Sequence, residues 1–215
     1  ELFRLEVCLV TTSNIVPDLL YRDGLQRQRF LPAIALLKQH CQVINVDGGT
    51  DYRLRALEKA PLYCSPLGLT ADADIEAIFN RLVPVEGEIK IAVNLEVEGR
   101  SIPVVKLSED IVWFQFASLC EGPRSQNDYI DIAREFHAVI ISNIPMMGDD
   151  NNDATRRFIN LVDEFYDRNV KVAISAAEGL PNLYSGGRLA FEFERTQSRL
   201  LEMQSHEYLA RPHCP

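Results

Sequence analysis

No Gly-Lys pair occurs anywhere in these 215 residues. A phosphate-binding loop of the GxxxxGK[S/T] kind is therefore absent from the sequence, because that loop needs its lysine to meet the outer phosphates. HExxH, GxSxG and EF-hand loops are also missing, and the four histidines (His40, His137, His206, His213) are scattered. Spacing thus makes no case for a zinc site, a serine elbow or a catalytic triad. Cysteine is sparse and odd in number: Cys8, Cys41, Cys64, Cys120 and Cys214, without a CxxC pair. That reads as reduced thiols rather than a disulfide framework. No run of about 18 apolar residues is present, so no segment reads as a membrane-spanning helix. Positive charge is in deficit, with 22 Lys and Arg against 31 Asp and Glu, a net charge of −9. An acidic body repels nucleic-acid phosphates, so no nucleic-acid partner is expected; peripheral membrane contact stays open.

What remains is ordinary globular composition, 47% hydrophobic and 25% charged, enough for one large or two small domains. Val7-Cys8-Leu9-Val10 runs into Thr11-Thr12-Ser13-Asn14, the pattern of a buried parallel strand ending at a ligand-facing edge. Pro17 suits the first turn of a short helix, and Pro32 opens another with Ala33, Ile34, Leu36 and Leu37 on its apolar face. Cys41 to Asp47 reads as a further strand. Pro61, Pro66 and Gly68 mark a linker. Ile75, Ile78, Phe79 and Leu82 then stand at helical spacing.

From Glu88 the period becomes two, and three strands over 89–97, 102–107 and 111–116 form an antiparallel meander. Pro103 would suit an edge position. Ser125 and Asp128 resemble a capping box ahead of a helix striped with Tyr129, Ile132, Ala133 and Phe136. Strand, helix and strand follow over 137–143, 153–168 and 171–176. Phe158 to Glu164 imitates the apolar run plus Asp-Glu that binds Mg²⁺ in P-loop enzymes, but its spacing is helical and reads as an exposed acidic helix edge. Ile-Ser-Asn at 141–143 and Ile-Ser-Ala at 174–176 echo Thr-Ser-Asn at 12–14, either as a half-repeat or as added strands of one sheet. Arg188 to Glu194 alternates like a strand, and Arg195 begins a final helix through about Leu209.

Several of these runs resemble the ZapE family of AAA+ ATPases, bacterial cell-division proteins with mitochondrial relatives. They are TTSNIVPDLLYRDGLQRQRFLPAI, VDGGTDYRLR, PRSQNDYIDIAREFHAVIISNIPMM, ATRRFINLVDEFYDRNVKVAISA and FEFERTQSRLLEMQSHEYL, in family order along most of the chain. The resemblance implies an α/β chain. Residues 1–60 would be the C-terminal part of a P-loop NTPase core, 61–120 a linker, helix and meander, and 121–215 a further α/β segment. The P-loop and the Mg²⁺-site strand would lie before Glu1. ATP and Mg²⁺ would thus be held mainly by residues outside this sequence, and no metal ligand is assigned within it.

The resemblance also implies residue roles. Asn14 would orient the water that attacks the γ-phosphate, with Ser13 in support; a short carboxamide both donates and accepts, as that task requires. Arg29, or failing it Arg27, would be the finger reaching a neighbouring subunit's phosphates, which implies self-association. Arg53, Arg199 and Arg195 would be nucleotide-facing arginines. Each has a plainer reading too: a cap at Asn14, solvated arginines at 27, 29 and 53, and packing or ion pairing at 195 and 199.

The family implies ATP-dependent destabilisation of FtsZ polymers, in the bacterial cytoplasm or at the division site, with a mitochondrial location open by way of the relatives. A non-catalytic protein-interaction module is the alternative reading. A helicase loader, suggested by Tyr52-Arg53, fits the acidic balance poorly.

Overall fold

The computed structural model describes residues 7–13, 15–20, 27–44, 57, 60–84 and 87–215. The chain divides into two compact units, Glu1–Thr50 and Asp51–Pro215.

In the first unit the described elements are helical. Pro17–Leu19 and Arg27–Arg29 are single 3₁₀ turns, and α1 spans Leu31–His40 with Pro32 in its first turn, where a missing N–H costs nothing. Of the two strands expected at 7–10 and 41–47, the described residues 7–10 and 41–44 form none, and residues 45–47 lie outside the described residues. Both stretches lack ladder partners among the described residues, and Val10 is 88% and Ile44 69% exposed. A parallel strand exists by virtue of its neighbours: without them its backbone groups turn to water and its apolar side chains stay outside.

The second unit is built on a six-stranded sheet ordered β1-β6-β5-β4-β3-β2. Its strands are β1 (Tyr63–Cys64), β2 (Lys90–Val97), β3 (Arg100–Ser108), β4 (Ile111–Gln115), β5 (Ala138–Ile144) and β6 (Lys171–Ala176). β1, β6, β5 and β4 run parallel, and β2 and β3 extend the sheet as an antiparallel hairpin. Meander and α/β segment therefore share one sheet. Pro103 lies on β3 rather than on an outer strand. Because β4 pairs only with Lys106–Ser108, Pro103 has a strand neighbour on one side alone.

The parallel strands are apolar on both faces, as burial under two layers demands. Val112, Phe114, Val139, Ile141, Val172 and Ile174 share one core with α3 (Gln126–Glu135), α4 (Asn152–Asp167) and α5 (Ala190–Glu202). Ile111, Trp113, Ala138, Ile140 and Ala173 share the other with α2 (Leu69–Leu82).

Two expectations fail here for local reasons. The stretch read as a linker contains β1, a strand too short for periodicity to reveal. The alternation at 188–194 belongs to the start of α5. Leu189, Phe193, Thr196 and Leu200 are its buried stripe, a helical spacing that only the longer window exposes. The last helix stops at Glu202, and Ser205 caps a separate short helix α6 (His206–Leu209) by accepting from the Tyr208 N–H at 3.2 Å.

Two buried charges lock this unit. Asp128, fully buried at the start of α3, accepts from the Ser125 N–H at 2.6 Å and pairs with Arg100 at 3.1 Å. Asp128→Asn is expected to lower stability by about 2 kcal/mol, read as a shifted urea midpoint at unchanged slope. Lys171, buried at the start of β6, donates to the carbonyls of Asn169, Tyr208 and Arg211 at 2.9, 3.2 and 2.7 Å. It thereby fastens the C-terminal segment to the sheet.

Candidate functional site

In the first unit Lys38 and Arg27 converge on Asp18. Its carboxylate pairs with Lys38 of α1 at 2.7 Å, and its backbone carbonyl accepts from Arg27 Nη2 at 2.7 Å. The turn at 17–19 is thus tied both to the turn at 27–29 and to the helix after it. Arg27 is spent on this tie. Arg29, two residues on, is exposed on the turn that leads into α1. Ser13 is exposed, accepts from the Ile15 N–H at 3.2 Å and donates to the Ile15 carbonyl at 2.9 Å, a local turn that shapes the chain next to position 14. Asn14 and Arg53 lie outside the described residues.

Between residues 7–11 and 41–44 the first unit encloses a cleft of about 940 Å³, lined by Leu9, Val16, Leu37, Cys41 and Val43 among others. Leu37 and His40 of α1 complete the lining, and residues 7–11 and 41–44 make no ladder bonds among the described residues.

In the second unit Arg195 and Arg199 stand one turn apart on α5. Both reach Asp163 of α4, at 2.6 and 2.5 Å. Arg199 also lies over the Tyr166 ring, 4.8 Å from its centre. The Asp163-Glu164 pair is therefore not a solvated edge: Asp163 holds two arginines, and Glu164 pairs with Arg168 at 2.6 Å. The stretch sits on a helix, as its spacing requires. Sequence reading missed Asp163 as the anchor. Its signal was the four-residue spacing shared by Arg195/Arg199 and Asp163/Asp167, with Asp167 3.9 Å from Arg199. Asp163→Ala is expected to cost about 1 kcal/mol, because the ion pairs it removes are partly exposed.

Asp149 follows β5 and accepts from the N–H groups of Gly187 and Arg188 at 3.3 and 3.2 Å. Those backbone donors hold its carboxyl below the ordinary value of 3.8. The sign follows from linkage: a depressed folded pKa adds stability above the unfolded value and loses it as pH falls through the folded one. The 184–188 loop should therefore stay docked at neutral pH and loosen below about pH 4. Amide shifts of Gly187 and Arg188 in an acid titration check this, and Asp149→Asn should loosen the loop at every pH.

A family model described as AFG1-like ATPase matches residues 1–212. The Escherichia coli (strain K12) cell division protein ZapE is 47% identical over 212 residues, which is 99% of this chain and 56% of that protein. The zebrafish (Danio rerio) lactation elevated protein 1 homolog B is 33% identical, across 96% of this chain and 48% of its own length. A Schizosaccharomyces pombe protein is 30% identical across 98% of this chain and 53% of its own. The chain spans about half the length of the curated relatives it matches.

Proposed function

This chain belongs to the AFG1-like ATPase family, and from that premise we propose that it supplies the water-positioning and finger half of an AAA+ ATP-hydrolysing site. The observation that carries the reading is the division of labour between two neighbouring arginines: Arg27 is bound to Asp18, while Arg29 is presented to solvent. A guanidinium on a short turn braced by Pro17–Leu19 and α1 can reach an adjacent subunit without reordering its support. It stays charged and offers a planar fork to phosphate oxygens, so it neutralises charge as the phosphoryl group transfers.

Asn14 would hold the attacking water, with Ser13 fixing the adjacent turn. Arg195, Arg199 and Arg53 are the further candidates for nucleotide contact, the first two through release from Asp163. ATP and Mg²⁺ would be held mainly by residues outside this sequence. When bound, Mg²⁺ neutralises the β- and γ-phosphate oxygens. Asn14→Ala in the complete enzyme should lower ATP turnover roughly a hundredfold at nearly constant nucleotide affinity. Unchanged turnover removes the assignment.

The work done with the energy is remodelling of a protein partner after self-association. The name of the Escherichia coli relative points to the division machinery, in the cytoplasm or at the division site. FtsZ polymers are the partner to test, by light scattering with and without ATP. A second reading is kept because the second unit closes two cores of its own around a six-stranded sheet. Such a body can serve as a non-catalytic docking module. Partner binding that survives loss of ATP turnover favours that reading.

A further inference from the structure

The strands of the second unit are wound in a particular way. The chain makes β1, crosses the sheet through α2, lays down the β2–β3 hairpin at the far edge, and adds β4, β5 and β6 in turn through α3 and α4. β6 thereby comes to rest beside β1. α2 packs on one face together with Leu57 and with Leu209 of α6, and α3 and α4 cover the opposite one. This is the winding of a P-loop core, where the strand feeding the phosphate turn is neighbour to the last strand of the series.

One feature of the sequence falls into place on that plan. Gly68-Leu69-Thr70 opens α2 directly after β1, with Gly68 at φ +146°; it matches the Gly-Lys-Thr of a phosphate loop except that leucine replaces lysine.

We infer that the second unit is a further copy of the triphosphate-binding architecture, emptied of the groups that hold a nucleotide. The lysine position is Leu69, 89% exposed at the turn. The strand that would carry the metal carboxylate, β5, has none along Ala138–Ile144 and ends in Ser142-Asn143-Ile144.

What holds the strand tips together is neutral. Trp113 Nε1 donates to Ser142 Oγ at 2.8 Å, Asn143 Nδ2 to Gln115 Oε1 at 2.8 Å, and the Asn143 N–H to Ser175 Oγ at 3.0 Å. Asn143 sits at φ +63° to do so. The cavity at the β1–α2 turn, about 430 Å³, has no lysine or arginine among the described residues of its lining, and Asp74 adds a negative charge. Burial and Asp74 push the Cys64 thiol there up to about 11, so it is no nucleophile at neutral pH. A triphosphate needs cations at each of these places, and here it meets an apolar side chain, amides and a carboxylate.

The test is hydrogen–deuterium exchange on this chain with and without Mg²⁺-ATP, followed peptide by peptide. The expected result is identical exchange over residues 65–72 and 141–146 at every nucleotide concentration. Slowed exchange at Gly68–Asp72 that saturates with Mg²⁺-ATP and disappears in Leu69→Glu would overturn the inference. The readout is local to the second unit. Loss of the proposed role of Asn14 or Arg29 would leave it standing, and protection at 65–72 would sink it without touching them.

Discussion

Replacing Arg29 by alanine should lower ATP turnover of the complete assembly by roughly a thousandfold or more, the scale of a lost arginine finger, while nucleotide affinity stays nearly unchanged. The exposed turn explains why the loss should fall on turnover. Arg29 supports no other part of the first unit among the described residues, so its removal leaves the fold of that unit intact. Arg27→Ala should behave differently. It cuts the tie to the Asp18 carbonyl and should lower the stability of the unit by about 1 kcal/mol, with a smaller kinetic effect. Mixing Arg29→Ala subunits with Asn14→Ala subunits gives the sharpest reading. A finger acting on a neighbour restores part of the activity in mixed assemblies, whereas one acting within its own subunit restores none. Wild-type turnover in Arg29→Ala would end the assignment.

The second large effect is on stability. Lys171→Met keeps the length and the apolar stem but leaves three inward-facing carbonyls, of Asn169, Tyr208 and Arg211, without their shared donor. The Lys171 ammonium also lies 5.1 Å from the centre of the Tyr208 ring, so an attraction is lost with the bonds. Each orphaned buried acceptor costs on the order of 1 kcal/mol or more, which puts the loss at about 3 kcal/mol. In a unit of this size the melting temperature should drop by roughly 6 to 12 °C. Tyr208→Phe should cost less, about 1 kcal/mol, because it removes one hydroxyl donor that sits 3.2 to 3.3 Å from the carbonyls of Phe165, Tyr166 and Val170. A Lys171→Met midpoint equal to wild type would show that the C-terminal segment is held by its apolar contacts alone.

How legible all this was in the sequence depended on whether an element carries its own signal. The apolar stripe of α2 and the alternation of the hairpin are local patterns that the packed structure simply uses. β5 and β6 are strong because their side chains face two cores at once, and α4 because its apolar stripe faces one. Residues 7–10 and 41–44 read as strands because they are apolar, but apolarity states only a wish for neighbours. β1 went unread because a strand of two residues, set between Pro61 and Pro66, leaves no room for a period, and its register is set by β6, 111 positions away. At 188–194 a short window could not separate period two from period 3.6. The chemistry was harder to place. The residue types at 27 and 29 are identical, and only the carbonyl of Asp18 tells them apart. Asn14 and Arg53 lie outside the described residues.

The final residues of the chain offer a practical handle. The Cys214 N–H donates to the Arg168 carbonyl, the Asn169 amide donates to the Pro212 carbonyl, and His213 Nε2 is 2.6 Å from the Ala133 carbonyl. These anchors sit where β5 and β6 begin, at the opposite end of the strands from Ser142 and Ser175. The Cys214 thiol is nonetheless exposed. With Cys8 and Cys41 changed to serine, a dye placed there would report rotation and assembly of the second unit from a firmly held post, without intruding on the crevice at the far rim.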